Sequence, residues 1–223
     1  MDSAKILNLY TLSETIAAPY FEGKTYPWEM LPEIKNIIAD LITKLDPDIY
    51  ENQGDNVFIA KSAKIYPNAN IYGPCIIGEN TEVRPGAFIR GNAIVGNNCV
   101  VGNSTELKNV ILFNNVQVPH YNYVGDSILG YKSHMGAGSI TSNVKSDKTL
   151  VVIKDRSKGE EIETGIKKVG AMLGDNVEIG CNSVLNPGTI VGRGSHVYPT
   201  SCVRGVVPEN SILKSDGVAY PQK

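Results

Sequence analysis

Aliphatic side chains recur at every sixth position along two long stretches of the chain. The first series begins at Ile59 and reaches Leu107 without a miss, and the second begins at Leu173 and reaches Val203. In the first series the residue four positions after each of the first eight aliphatic ones is small; these residues are Ala63, Ala69, Cys75, Thr81, Ala87, Ala93, Cys99 and Thr105. A period of six matches neither a 3.6-residue helical turn nor the two-residue alternation of a strand, and it is typical of a β-helix built from hexapeptides. The pattern therefore predicts a mainly β protein.

In such a fold three hexapeptides form one triangular coil, and each hexapeptide supplies a short flat strand and a corner. The aliphatic side chain points into the prism, and the small residue fills the tight space beside the corner. Gly78, Asn80 and Asn98 are residue types that tolerate the backbone of a tight corner. This arrangement is identified as a left-handed parallel β-helix of hexapeptide repeats, an exception to the right-handed crossover rule. A β-sandwich with coincidental spacing is the alternative, but chance rarely keeps strict register over so many residues.

The register slips between the two series. Five-residue steps lead from Leu107 to Leu112 and from Val124 to Leu129. Residues 141–170 then break the period with many charged side chains. An excursion of this length from a compact coil is usually functional, so we expect a loop that projects from the prism.

Upstream of the coils the hydrophobic pattern changes to that of an amphipathic helix. The apolar positions that share one helical face are Ile34, Ile37, Ile38, Leu41, Ile42 and Leu45. This spacing predicts a helix that stops before Pro47. We expect it to cap the open first coil, whose core would otherwise meet water, although the same face would also suit a partner subunit. The predicted organisation is an N-terminal helical cap at 1–55, the β-helix at 56–214 and a tail at 215–223.

Charge and composition exclude several partners. The net charge is −2, and no block of like charges occurs, so neither nucleic acid nor a membrane surface is expected as a partner. The first 21 residues are too polar for a signal peptide, and no run approaches the about 18 apolar residues of a membrane span. We therefore expect a cytoplasmic protein. Cysteines form no CxxC pair and are interpreted as small core residues; they are Cys75, Cys99, Cys181 and Cys202.

Polar and aromatic side chains enter the repeat at VPHYNYVGD, residues 118–126. With this stretch, the chain from about residue 84 onward resembles the acetyltransferase domain of the bifunctional enzyme that acetylates glucosamine-1-phosphate and then makes UDP-N-acetylglucosamine. That domain belongs to the hexapeptide-repeat acyltransferases. The motifs that carry the resemblance are RPGA at 84–87, VGNSTELKN at 101–109, HYNYVGD at 120–126, MGAGSITSN at 135–143 and KT at 148–149.

The resemblance implies acetyl-CoA-dependent N-acetylation of an amino-sugar phosphate or a nucleotide amino sugar. It implies that His120 is the general base and that Arg84 and Lys108 hold the sugar phosphate. Positioned general bases contribute typically about 10² to 10⁴ in rate. Each residue also has a simpler interpretation: the two cations could pair with Glu82 and Glu106.

The resemblance also implies a pocket for the sugar and a track for the co-substrate. Tyr123 and Asn143 match a tyrosine and an asparagine of the family's pocket, and His134 stands where the family has an asparagine. The backbone along which coenzyme A would lie is Gly136, Ala137 and Gly138. Val144 replaces a tyrosine that contacts the sugar in the family, which affects the choice of sugar more than the reaction class. Asp126 follows a glycine at a corner, so a turn is an equally good interpretation.

Other functional classes compete with this one. A hexapeptide zinc enzyme of the gamma carbonic anhydrase type needs three histidines on one metal, and His196 is expected several coils beyond His120 and His134, so no metal is expected. A catalytically silent sugar-phosphate-binding or scaffold β-helix, related to sugar-phosphate nucleotidyltransferases, is favoured by Val144 and opposed by the intact HYNYVGD motif. The family's pyrophosphorylase domain has no counterpart in the sequence, so uridylyl transfer is not expected.

The resemblance further implies a homotrimer with the active site between neighbouring chains. Tyr121 and Tyr123 would suit such an interface, because aromatic side chains are enriched there. Cations of the 141–170 loop could reach a ligand phosphate on the adjacent chain, or the loop could simply be solvated. These cations are Lys145, Lys148, Lys154, Arg156 and Lys158.

Overall fold

Parallel strands stack into a three-sided prism, whose sides we call faces A, B and C. The computed structural model describes residues 1–222. Face A carries Val57–Ala60, Cys75–Ile77, Ala93–Val95, Ala171–Leu173, Thr189–Val191 and Val206–Val207. Face B carries Lys64–Ile65, Glu82–Val83, Val100–Asn103, Gln117–His120, His134–Met135, Glu178–Ile179, His196–Val197 and Ser211–Leu213. Face C carries Asn70–Ile71, Phe88–Ile89, Ile140–Thr141, Val184–Leu185 and Cys202–Val203.

Two longer strands, Glu106–Leu112 and Tyr123–Leu129, cross from face C to face A without a break. We call the corners that follow faces A, B and C along the chain the A–B, B–C and C–A edges. Each strand pairs in parallel with the strand one coil away, as in Glu82↔Val100. The chain is thus a left-handed parallel β-helix, as the hexapeptide pattern predicts.

The prism interior holds the aliphatic residue of each hexapeptide. Every one of these side chains from Ile77 to Met135 is fully buried, because each points inward from a flat strand. The small residues beside the corners are buried with them; Ala87, Ala93, Cys99 and Thr105 have no exposed surface. The predicted core is therefore confirmed.

The cysteines divide into two classes. Cys75 and Cys99 are buried at the small position, and burial raises the pKa of each thiol to about 12. Cys181 and Cys202 are exposed, so interpreting all four cysteines as core residues is wrong for these two.

The N-terminal segment covers face A from the side. It contains 3-10 turns at Asp2–Ala4, Leu12–Glu14, Ala18–Phe21 and Pro27–Met30, and α-helices at Ile6–Leu9 and Ile34–Leu41. The longer helix buries Ile34, Ile37, Ile38 and Leu41, as predicted, but it ends at Leu41 rather than continuing to Leu45. No helix within residues 1–222 is both long enough and apolar enough to cross a membrane.

Face A is the side that needs a cover because its outward side chains are apolar as well. Ile76, Ile94, Ile111 and Ile128 point away from the prism interior, and all four are fully buried. Helix Ile34–Leu41 contacts strands of the middle coils on this face. The cover thus differs in position from the expected cap over the first coil.

The end of the first coil stays open. A cavity of about 610 Å³ lies there, and its lining includes Ile59, Ile65 and Ile71. Strand Tyr50–Asn52 pairs antiparallel with Val57–Ala60 and covers the edge of face A only. Ile65 is consequently 37% exposed, whereas its counterparts in later coils are buried.

Residues 141–170 form a hairpin that folds back on the C-terminal coils instead of projecting from them. Its antiparallel strands are Val152–Asp155 and Glu160–Glu163. Val151 and Ile153 are fully buried against the prism. The period breaks here because one face of the hairpin must be apolar to dock, while the other can be charged. At the far end, Ala219–Pro221 closes face B as an antiparallel strand.

Candidate functional site

His120 lies on the B–C edge, at the end of strand Gln117–His120. Gly102 lies one coil below it, and a Cβ there would come within 1.6 Å of the Pro119 carbonyl oxygen. The missing side chain of Gly102 therefore lets the backbone of Pro119 and His120 descend onto the coil beneath. Tyr121 follows with a left-handed backbone, φ 51°, and its ring is 65% exposed. A bulky residue in this conformation is uncommon and is more frequent at functional sites.

The predicted coenzyme A track is adjacent to His120. The Gly138 amide donates a hydrogen bond of 3.0 Å to the His120 carbonyl, and the Asn182 amide donates one of 2.8 Å to the Ala137 carbonyl. Gly136 approaches the next coil so closely that a Cβ would lie 2.7 Å from the Cys181 amide nitrogen. The structure thus brings the predicted base and the predicted track together along one edge.

A buried polar cluster occupies the C–A edge, at the far side of face C. Asp126 is 3% exposed and accepts hydrogen bonds from three side chains. Its partners are Lys108 at 3.0 and 3.2 Å, Asn109 at 2.9 Å, and Asn143. Asp126 has the left-handed backbone of a turn, φ 48°, as the turn interpretation predicts, and its carboxylate also draws these three side chains together.

Tyr123 reaches this cluster across face C. A Cβ on Gly125 would lie 2.5 Å from the Tyr123 hydroxyl oxygen, so the glycine makes room for the ring. Asn143 donates a hydrogen bond of 3.3 Å to that hydroxyl. Burial and the Asp126 carboxylate raise the pKa of Tyr123 from its ordinary value, so the phenol stays protonated at neutral pH.

The N-terminal cover is tied to the same cluster. Asn109 donates one hydrogen bond of 3.2 Å to the Leu31 carbonyl and another to Asp126. The position of the cover and the position of the Asp126 carboxylate are therefore coupled through one amide group.

Arg90 is a candidate site residue that motif matching does not identify. It lies directly below Lys108 on the C–A edge, and its amide donates a 2.8 Å hydrogen bond to the Leu107 carbonyl. Its guanidinium pairs with Glu106 at 2.6 Å. The signal in the sequence is the separation of 18 residues between Arg90 and Lys108, which is one full coil of three hexapeptides.

Arg84 lies elsewhere, at the start of the B–C edge. It pairs with Glu82 at 3.2 Å, as the simpler interpretation of this residue expects. Lys108 pairs with Asp126 rather than with Glu106. The structure therefore brings Lys108, Tyr123 and Asn143 together and places Arg84 apart from them.

His134 lies on face B and contacts Glu178 of the next coil, with Nδ1 and Oε2 2.7 Å apart. His196 lies on the other side of Glu178 in the same ladder. His196 therefore lies two coils beyond His134 and three beyond the coil of His120, as expected. The number of coils is smaller than the number of residues suggests, because the 141–170 hairpin adds residues without adding a coil. Within residues 1–222, no three side chains of His, Cys, Asp or Glu are grouped to hold a metal ion.

His120 and Lys108 thus lie at opposite edges of face C within one chain. At roughly 3.3 Å per residue, the strand between the two edges separates them by on the order of 10 to 15 Å. The B–C edge offers the imidazole of His120 beside a stretch of backbone that carries no large side chains. The other offers two cations, each paired with a carboxylate, together with two amide groups and a phenol that can form hydrogen bonds.

Comparison with known proteins identifies the family. A family model described as GMPPB C-terminal domain matches residues 71–216. The chain belongs to this family. It is also similar to the bifunctional protein GlmU of Methanococcus maripaludis strain C5, with 33% identity over 207 residues, which are 92% of this chain and 50% of that protein. The resemblance that the motifs indicate is thereby confirmed.

The name of a second relative includes both nucleotidylyl transfer and acetyl transfer. The bifunctional sugar-1-phosphate nucleotidylyltransferase/acetyltransferase of Sulfurisphaera tokodaii is 29% identical over 176 residues, covering 71% of this chain and 43% of that protein. The chain thus spans about half the length of the curated relatives it matches.

Among solved structures, the acetyltransferase domain of PglB from Neisseria gonorrhoeae in complex with acetyl coenzyme A matches with a TM-score of 0.33 and 15% identity, over 84% of this chain and 67% of that one. A likeness this distant has no bearing on activity.

Proposed function

We propose that the chain is an acetyl-CoA-dependent N-acetyltransferase whose acceptor is an amino-sugar phosphate or a nucleotide amino sugar. The observation that carries the proposal is the pairing of His120 and the Gly136 to Gly138 track on one edge with the cluster around Lys108 on the next. The names of the relatives support the reaction class, since one of them includes both a sugar-1-phosphate activity and acetyl transfer.

In this proposal His120 is the general base. Histidine exchanges protons near neutral pH, and His120 would accept the proton that the acceptor amine loses as it attacks. Acetyl-CoA, when bound, supplies the acetyl group as a thioester. Gly136, Ala137 and Gly138 leave the edge beside His120 free of large side chains, which fits an extended co-substrate arm.

The C–A edge would bind the acceptor. Lys108 and Arg90 lie one coil apart and supply positive charge for a phosphate group, and Asn143 and Tyr123 supply hydrogen bonds for sugar hydroxyls. Asp126 holds Lys108 and Asn143 in place, so it would act as a positioning residue.

The proposal includes a homotrimer. Because His120 and Lys108 lie at opposite edges of one chain, a small sugar cannot touch both unless the B–C edge of one chain meets the C–A edge of the next. Arg84, on the same edge as His120, would then approach the phosphate from the neighbouring chain, and His134 would do so from face B.

Turnover of a His120→Ala variant tests this function. Release of free coenzyme A thiol would be measured with acetyl-CoA and a panel of amino-sugar phosphates and nucleotide amino sugars. We expect a drop of about 10² to 10⁴ in kcat with an unchanged melting temperature. His196→Ala is the matched control, because it removes an exposed histidine from the same prism. Wild-type turnover in His120→Ala would refute the assignment.

A catalytically silent binding protein is the second candidate, and Val144 favours it. This side chain is 39% exposed where the family has a sugar-contacting tyrosine. Thermal unfolding with acetyl-CoA, coenzyme A and sugar phosphates separates the two candidates. A ligand at 100 times its Kd stabilises by about 2.7 kcal/mol. Stabilisation by sugar phosphates without any response to acetyl-CoA would favour the silent protein.

A further inference from the structure

We propose that the cleft between the 141–170 hairpin and the C-terminal coils binds the diphosphate of a nucleotide-type ligand. Two adjoining cavities form this cleft, with volumes of about 290 and 530 Å³. They share Lys154, Arg156 and Arg204 in their linings. Lys145 lines the smaller cavity, which therefore contains four cationic side chains.

The backbone of the hairpin that carries Lys154 is fixed against the C-terminal coils. Gly205 has φ 74°, and a Cβ there would lie 2.3 Å from the Lys154 carbonyl oxygen, so only a glycine lets the hairpin approach this corner. Val151 and Ile153 anchor the hairpin in the core. Because side chains alternate along a strand, burial of Ile153 turns Lys154 to the opposite side.

The two arginines of the cleft lack compensating charge, whereas the two lysines are paired with acids. No carboxylate lines either cavity. Lys154 pairs with Glu161 at 2.6 Å and Lys145 with Asp147 at 3.5 Å. Across residues 1–222, neither Arg156 nor Arg204 makes an ion pair or a side-chain hydrogen bond. Two guanidinium groups that face one cleft without an acid repel each other, and a polyanion would relieve that repulsion.

The lining of the larger cavity indicates the rest of the ligand. It combines the cations with apolar side chains at the C-terminal end of the prism. Val203, Val207 and Leu213 are inward residues of the last coil, and the more exposed apolar residues of the lining are Val206, Pro208, Val218 and Ala219. Arginine forks suit phosphate oxygens, and an apolar wall suits the flat base of a nucleotide. The chemistry therefore matches a nucleoside diphosphate moiety, which both a nucleotide sugar and coenzyme A contain.

The cleft lies on the C–A edge, as the Lys108 cluster does. Ser142, Asn186 and Arg204 occupy equivalent positions on successive coils of this edge, and Asn143 follows Ser142. With about 4.8 Å between coils, Arg204 lies roughly 10 Å beyond Asn143. This distance suits a ligand whose diphosphate occupies the cleft while its attached group reaches the Lys108 cluster.

Calorimetric titration of the full chain with inorganic pyrophosphate, UDP and coenzyme A tests the inference. We expect the pyrophosphate Kd to rise about tenfold or more in the double variant R156A/R204A at constant ionic strength. The matched control is K167A/K168A, which removes two exposed charges from the same segment outside the cleft, and its Kd should change by less than about twofold. Melting temperatures of the free proteins confirm that both variants fold.

The two organic ligands identify the source of the diphosphate. Weakening confined to UDP assigns the cleft to a nucleotide-linked acceptor, and weakening confined to coenzyme A assigns it to the acyl donor. Equal losses in the two double variants, no loss in R156A/R204A, or no binding of any probe by the wild type would overturn the inference. Since titration measures binding only, an absence of acetyl transfer would leave this result intact.

Discussion

The B–C and C–A edges are made from the same repeat but differ in regularity. On the B–C edge every step between inward aliphatic positions is six residues, from Ile65 to Ile71 and onward to the last coil. On the C–A edge the step shortens to five at Leu107 and again at Val124, and the 141–170 hairpin is inserted there. Every departure from the repeat within the middle coils thus falls on one edge.

The difference explains the chemistry of the two edges. A regular edge repeats one shape from coil to coil, which suits an extended ligand arm that runs parallel to the prism axis. Left-handed residues occur at the corners of both edges, as at Tyr121 and Asp126, φ 51° and 48°. At the shortened corners the side chains of Asn109 and Asp126 also meet, in a hydrogen bond of 2.9 Å. The irregular edge can therefore build a pocket that occurs only once.

The same substitution at both edges should have its largest effect on the regular one. Gly102→Ala places a Cβ 1.6 Å from a backbone oxygen that cannot move aside. Gly125→Ala meets only the tip of the Tyr123 ring, which can rotate away. We expect a loss in unfolding free energy of about 3 kcal/mol for Gly102→Ala and less than about 1 kcal/mol for Gly125→Ala, measured by urea denaturation.

The milder variant should still lose function, because a displaced Tyr123 no longer reaches Asn143. Gly125→Ala should therefore weaken acceptor binding at nearly wild-type stability. If the two alanine variants lose equal unfolding free energy, the two edges tolerate an added Cβ equally well, and the proposed difference between them is wrong.

Substitution of Asp126 tests how much the stability of the irregular edge depends on one carboxylate. Asp126→Ala leaves Lys108, Asn109 and Asn143 without their shared acceptor, which should cost roughly 1 to 3 kcal/mol of unfolding free energy. Lys108 is 27% exposed, so water partly compensates for the lost ion pair. Asp126→Asn keeps the shape and one acceptor oxygen and is the matched control. It should be measurably more stable than the alanine variant; an alanine variant as stable as wild type would mean that the cluster is not held by its carboxylate.

The repeat predicts the prism and its core because one short rule, an inward aliphatic every six residues, is applied in every coil. The cover over face A is also visible in the sequence, where Cys75–Ile77 and Ala93–Val95 are apolar at three successive positions instead of alternating. That signal indicates a face buried on both sides. A helical pattern alone shows that a helix has one apolar face, not which surface it covers.

The site is less predictable because residues that are neighbours in a sequence motif can lie on different edges of the prism. HYNYVGD places His120 and Asp126 six residues apart, yet the corner geometry assigns them to different edges. Similarly, Arg84 is identified by its motif, whereas Arg90 is found only by counting one coil of 18 residues back from Lys108. The exposed pair Cys181 and Cys202 was missed because small residues fit outward positions as readily as inward ones.

The smallest expected effects come from substitution of the two arginines, Arg90 and Arg84. Arg90→Ala removes a cation directly beneath Lys108, and we expect the acceptor KM to rise about tenfold with little change in kcat, because a phosphate contact binds substrate and transition state alike. Arg84→Ala should reduce stability by no more than about 0.5 kcal/mol, since its ion pair with Glu82 is exposed. In the proposed trimer, any effect of Arg84→Ala on KM would come from contact with the neighbouring chain. If Arg84→Ala raises KM only in the assembled protein, the B–C edge of one chain supplies part of the phosphate site on the next. If Arg90→Ala leaves KM unchanged in every assembly state, the C–A edge does not bind the phosphate, and the acceptor must be sought on the regular edge instead.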